Sequence, residues 1–365
     1  MADLFDYLDW RGDLPFETVG VGPADALIFS ALSYIHYDGL VPQGFRNPVP
    51  LEVVADAFAA LPDKAERVLL RQDAPLLMAA AATERFRKVQ LIFYNSATIP
   101  EEESQFAAVA FLLPDGKTAV LAFRGTDATL VGWKEDFNMS FRDRIPAQEK
   151  ALYYTRTFAQ HFPHRLILCG HSKGGNLAVY AASLCPGEIQ ERISAVYNND
   201  GPGFTASLMG DPGYRAMVPK IYSYVPQSSI VGMLMEHEEP YTVIKSRQVS
   251  ILQHDLYSWE VMGGGFVPVP GVSDDARLVN RTVKTWLTEK TPAERNAFVD
   301  AVFDLLGTGE VDSAKEIMMP WNILNYLRTL NEDDEMRRLI GKELADLVRM
   351  AVNLRRQKDT PALPG

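Results

Sequence analysis

Cysteine is scarce: Cys169 and Cys185 are the two in 365 residues, and they form no C-x-x-C pair. That pattern argues against a disulfide framework and fits a reducing, cytoplasmic compartment. The start, MADLFDYLDWRGD, lacks the basic and apolar regions of a signal peptide. No run approaches the ~20 apolar residues of a membrane span, so no transmembrane segment is expected. Positive charge is in deficit, with 36 Lys and Arg against 47 Asp and Glu, a formal net charge of −11. That balance argues against nucleic acid as a partner and against attraction to anionic membranes, while leaving neutral lipids open. The chain also lacks a P-loop, a dinucleotide fingerprint, an internal repeat and any cluster spaced for metal ligation. No cofactor is expected.

What is present is an ordinary globular composition, 47% hydrophobic and 23% charged, and one stretch that organises the rest. Residues 165–183 read RLILCGHSKGGNLAVYAAS: an apolar strand, a G-x-S-x-G turn, then a helix of small residues. This is the context in which the pattern marks a nucleophile elbow, with Ser172 as nucleophile. Gly170 and Gly174 keep the strained turn free of side chains, and Gly175 lets the helix lie close to the sheet. Ser172 is thereby placed at a helix N-terminus, where the Lys173 amide is a donor to a developing oxyanion.

Around the elbow the pattern predicts three regions. Residues 1–85 form a helical lead-in, with helices over 26–37, 51–60, 64–71 and 75–85. Residues 86–262 form an α/β core. Strands are expected at 89–96, 104–113 and 117–123, then an elbow strand, then strands at 193–198, 220–225, 241–245 and 248–252. Residues 263–365 form a helical C-terminal region, joined through a flexible Gly263-Gly264-Gly265 connection and ending in a frayed PALPG tail. A capping box at Thr291-Pro292-Ala293-Glu294 starts one of its helices.

Other chemistry-bearing residues lie at strand ends. The strand at 117–123 runs into Arg124-Gly125-Thr126, where a glycine admits substrate and Thr126 is the candidate second oxyanion donor. Asp200, after the 193–198 strand and held in an Asp-Gly-Pro-Gly turn, is placed to orient a histidine; an Asp-Gly turn also needs no chemistry. His254 follows the last strand, where the order Ser…Asp…His requires the base. His237 is its rival; His171 should point away from Ser172, and His36, His161 and His164 read as structural. Trp133 and Asp136 read as packing and capping groups. The Met/Leu-rich 230–235 segment reads as core, pocket wall or mobile flap.

Together FRGT with GWKEDF, GHSKGG and HDLYSW resemble the motifs of fungal-type, class-three lipases, most of all a bacterial branch of such lipase-like hydrolases. The likeness spans 89–261. It implies an α/β-hydrolase fold with a mostly parallel sheet, Ser172 as nucleophile, His254 as base, and Thr126 with the Lys173 amide as oxyanion hole. Lipases of that family carry their acid in a D-x-V-P-like turn, and the matching Ser228-Ser229-Ile230-Val231 holds no carboxylate. Asp200 resembles the acid position of pancreatic-type lipases instead, with Glu236 and Asp255 as alternatives. The expected activity is hydrolysis of small acyl or lipid-type esters through an acyl-enzyme. A scaffold of weak or no activity serving in protein interaction, and a thioesterase, are the rival expectations.

Overall fold

A computed structural model describes residues 2–126, 130–139, 142, 144–307 and 320–359; the PALPG tail lies outside them, as do the side chains of Trp133 and Asp136. In chain order the elements begin with α1 (Leu4–Arg11), α2 (Pro23–Leu32), β1 (Val49–Pro50), α3 (Leu51–Ala59) and α4 (Asp73–Ala81). The core continues with β2 (Gln90–Ile99), β3 (Ser104–Leu112), β4 (Thr118–Phe123), α5 (Leu130–Met139), α6 (Pro146–His161), β5 (Arg165–His171) and α7 (Lys173–Leu184). Next come α8 (Gly187–Arg192), β6 (Ile193–Asn199), α9 (Ala206–Met209), α10 (Pro212–Met217), β7 (Ile221–Pro226) and β8 (Tyr241–Ile244). A hairpin of β9 (Val261–Met262) and β10 (Gly265–Phe266) precedes α11 (Asp274–Glu289), α12 (Pro292–Gly307), α13 (Pro320–Glu332) and α14 (Asp334–Asp359).

β1 to β8 form one eight-stranded sheet in sequential order. Pairings up to β3/β4 are antiparallel, and those from β4/β5 to β7/β8 are parallel. This is the α/β-hydrolase fold with its mostly parallel central sheet. Because each parallel strand is added on the same side of the last, right-handed crossovers deposit every connecting helix on one face. The strand residues divide accordingly. Ala119, Leu121, Leu166, Leu168 and Val196 pack with α6 and α7, while Val120, Ala122, Ile167, Cys169 and Ala195 face the other way. Crossovers leave that second face bare, and the chain before β2 covers it, with α2 lying across β4, β5 and β6.

Three local expectations are corrected. Residues 64–71 form turns rather than a helix, with Arg67 bonding Asp63 and the Asp38 carbonyl. Residues 248–252 are not a strand: 3-10 turns span Ser250–His254, and Val249, Ile251 and Leu252 are exposed, so no partner face favours extension. The glycine triplet is no flexible connection; it closes the β9/β10 hairpin with Gly263 at φ +60°. Gly264 then accepts the Ala24 N–H. The 230–235 segment is tied to the chain after β6, where Gly203 N–H bonds the Leu234 carbonyl and Phe204 pairs with Glu236. Among the described residues no helix is long and apolar enough to cross a membrane.

Candidate active site

The elbow is built by close approach. β5 runs parallel between β4 and β6, and its last residues stop beside Phe123 and Asn199. The chain then reverses into α7 with Ser172 at φ +59°, ψ −134°. A non-glycine residue there costs ~1–3 kcal/mol and persists only when the surroundings over-determine it. They do: a β-carbon on Gly170 would fall 2.1 Å from Gly174, and Ser172 N–H is held by the Asn199 carbonyl at 2.9 Å.

Two further groups reach this serine. His254 ends the 3-10 segment Ser250–His254 and sets its Nε2 2.9 Å from Ser172 Oγ. Its Nδ1 lies 2.7 Å from Asp200 Oδ2. A carboxylate can only accept, so Nδ1 carries the proton and Nε2 offers its lone pair to the serine hydroxyl. Asp200 sits just past β6 at φ +55° and is buried; its N–H bonds the Tyr224 carbonyl of β7 at 2.8 Å. The structure thus brings positions 172, 254 and 200 into one hydrogen-bonded chain. It does not bring in the alternative acids or the alternative base. Glu236 pairs with Lys284 at 2.8 Å, Asp255 caps the Tyr257 N–H, and His237 bonds Glu239.

The remaining expected residues flank the serine. A β-carbon on Gly125 would lie 3.2 Å from the Ser172 β-carbon, so the loop carrying Thr126 runs directly against the elbow. Lys173 opens α7 immediately after the serine. Its side chain turns inward, where Nζ bonds Glu135 Oε2 of α5 at 2.9 Å and the Gln105 carbonyl at 3.1 Å.

Supporting residues appear that the pattern did not single out. Ser229 lies in the turn after β7, and its hydroxyl donates to Asp200 Oδ1 at 2.5 Å. Ser229 Oγ in turn accepts the Gly232 N–H at 3.0 Å. His171 points away from Ser172 toward the loop of the base: its Nε2 lies 2.8 Å from the His254 carbonyl and its Nδ1 3.0 Å from the Tyr34 hydroxyl. Burial, reinforced by His254 nearby, holds the His171 imidazole well below its ordinary pKa. It is therefore neutral, donating through Nε2 and accepting from Tyr34. Gln253 braces the same loop, accepting the Ser228 N–H at 2.6 Å and donating to the Gln248 carbonyl at 2.9 Å.

A serine on a strained turn, an imidazole and a buried carboxylate thus lie in hydrogen-bonding sequence at the carboxyl edge of the sheet. The family model named Mbeg1-like matches residues 80–304, more than half the chain. The protein belongs to the Mbeg1-like family. No curated protein matches it. Among solved structures, a crystal structure of M37 lipase is similar at 17% identity and a TM-score of 0.35, over 58% of this chain and 69% of that one.

Proposed function

We propose that the protein is a serine hydrolase that cleaves carboxylic esters of acyl or lipid type through an acyl-enzyme. The observation that carries this reading is the unbroken chain from Ser172 Oγ through His254 to Asp200. In it His254 takes the Ser172 proton as Oγ attacks the ester carbonyl. The resulting imidazolium is stabilised by Asp200, and the proton passes to the leaving alcohol. The Lys173 amide and Thr126 hold the oxyanion. Water, deprotonated by the same imidazole, then releases the acid. The backbone of Ser172, at φ +59° and ψ −134°, supports activity over a scaffold role, since a pure interaction protein gains nothing from that strain. The closer kinship to class-three lipases belongs to this reading and rests on the FRGT, GHSKGG and HDLYSW segments. The test is hydrolysis of p-nitrophenyl esters of increasing chain length beside Ser172→Ala. Turnover should fall by at least ~10³-fold in the variant; undiminished hydrolysis or undiminished fluorophosphonate labelling overturns the assignment.

A further inference from the structure

α14 packs one side against α11. Trp286 Nε1 donates to Glu343 at 3.0 Å, and Lys290 bridges Glu343 and Asp346 at 2.7 and 2.8 Å. The outer side carries Leu344, Val348 and Val352, which are 51%, 63% and 43% exposed. At i, i+4, i+8 spacing these three aliphatics drift only ~40° per step, so they form one continuous stripe. Arg338, Lys342 and Arg349 are exposed and run along one border of it, about a third of a turn round; Lys342 also reaches Glu343 at 3.5 Å and Arg349 reaches Asp346 at 3.0 Å. Arg337 and Arg355, also exposed, fall within the stripe itself, Arg337 paired there with Asp334. Over residues 334–355 five Lys and Arg stand against four Asp and Glu, and Lys290 of α11 engages Glu343 and Asp346 from the inner side, so the outward edge is positive on a molecule whose net charge is −11.

We infer that α14 docks the protein on an anionic lipid bilayer. The helix lies in the plane of the interface, with the stripe at the acyl boundary and the basic border on the headgroups. The net negative charge does not prevent this, because exposed charges beyond a Debye length of ~8–10 Å are screened and the border sets the local attraction. A second copy of the chain is a poorer occupant. In an antiparallel pair of these helices the same borders meet, so Arg338, Lys342 and Arg349 would face their own counterparts. With three aliphatic anchors the association is reversible and salt-sensitive.

The test is co-sedimentation of the full chain with vesicles of phosphatidylcholine alone and of phosphatidylcholine mixed with phosphatidylserine. The protein should pellet with the mixed vesicles, release at high salt, and stay in solution with the neutral ones. Lys342→Glu with Arg349→Glu, and separately Leu344→Ser with Val348→Ser, should each weaken that association by on the order of tenfold or more. Circular dichroism should show both variants folded. Turnover of a soluble ester by these variants reports the hydrolase reading separately, because none of the substituted residues lies near Ser172 in the sheet. Equal binding to neutral vesicles, or binding indifferent to the charge reversals, overturns the inference. So does a lipid-free oligomer that the stripe substitutions dissolve, since a second copy would then be the occupant.

Discussion

Asp200 is held by two donors from different elements, His254 at Oδ2 and Ser229 at Oδ1. Two strand ends, those of β6 and β7, therefore converge on one carboxylate. If Asp200 orients the base, Asp200→Asn should lower kcat by on the order of 10⁴, because the amide would favour the wrong imidazole tautomer; a loss of only a few-fold moves the acid elsewhere. Ser229→Ala leaves a buried carboxylate oxygen short of a donor, which costs ~1–3 kcal/mol and should reduce kcat about tenfold with KM unchanged. The convergence allows a sharper measurement. Asp200→Ser combined with Ser229→Asp returns a carboxylate to the same place from the neighbouring strand, and should recover at least about tenfold in kcat over Asp200→Ser alone. No recovery would mean that only the β6 end presents the acid productively. The elbow was legible at this scale because a strained turn demands glycines at fixed offsets. Ser229 was not, since a hydroxyl in a turn has ordinary local uses and only the fold discloses what it faces.

Elements join the site through buried polar contacts that leave little trace in sequence. The strands of the core were readable because both faces of the sheet are covered, which makes β4 and β5 nearly continuous apolar runs. The 248–252 stretch has similar residues but no covering layer, and there the reading failed. Two contacts can be tested at this scale. Lys173 and Glu135 are each 1% exposed and tie the first residue of α7 to α5. Lys173→Met should destabilise by ~3–5 kcal/mol in urea unfolding, because Glu135 is left charged and without its cation. Adding Glu135→Gln should restore part of that loss, while the Gln105 and Ala147 N–H groups, which both bond Glu135, limit the recovery. Asp73, the first residue of α4, accepts the Leu69 and Leu70 N–H groups and the Tyr257 hydroxyl. It thereby fastens the segment just after His254. Burial pushes the Asp73 carboxyl up to about 6, against ~3.9 in the unfolded chain. Between those values the fold retains a proton that the unfolded chain has lost, so stability falls as pH rises from about 4 to about 6 and then levels. The change is on the order of 3 kcal/mol. Asp73→Asn should flatten that segment of the stability–pH curve, and an unchanged slope would place the titration on another group.

Across the whole molecule, the sheet needs its N-terminal residues as much as its crossover helices. Sequential parallel strands commit every crossover to one face, so among the described residues Val120, Ala122, Ile167, Cys169 and Ala195 are covered by the lead-in and the 256–266 segment. The length of the lead-in and its helical patterning were visible in the sequence; that it closes one face of the sheet follows from strand order alone. What locks the cover is a single buried cation. Arg85 forms a two-pronged pair with Asp25 at 2.7 Å for each bond, and donates to the carbonyls of Leu14, Val19 and Gly20. It also lies over the Phe16 ring, 4.0 Å from its centroid. Asp25 accepts a further bond from Tyr7, so α1, α2 and the loop between them close on one side chain. Removing one partner of such a pair strands the other in a dry interior, and Arg85→Met should cost ~3–5 kcal/mol. Arg85→Lys should recover only part of it, since an ammonium cannot reproduce the bidentate geometry. Because this contact belongs to the cover rather than to the chain linking Ser172, His254 and Asp200, the protein that remains folded should keep its kcat while its Tm falls. A loss of kcat at temperatures where Arg85→Met is fully folded would show instead that the cover transmits its packing to the elbow.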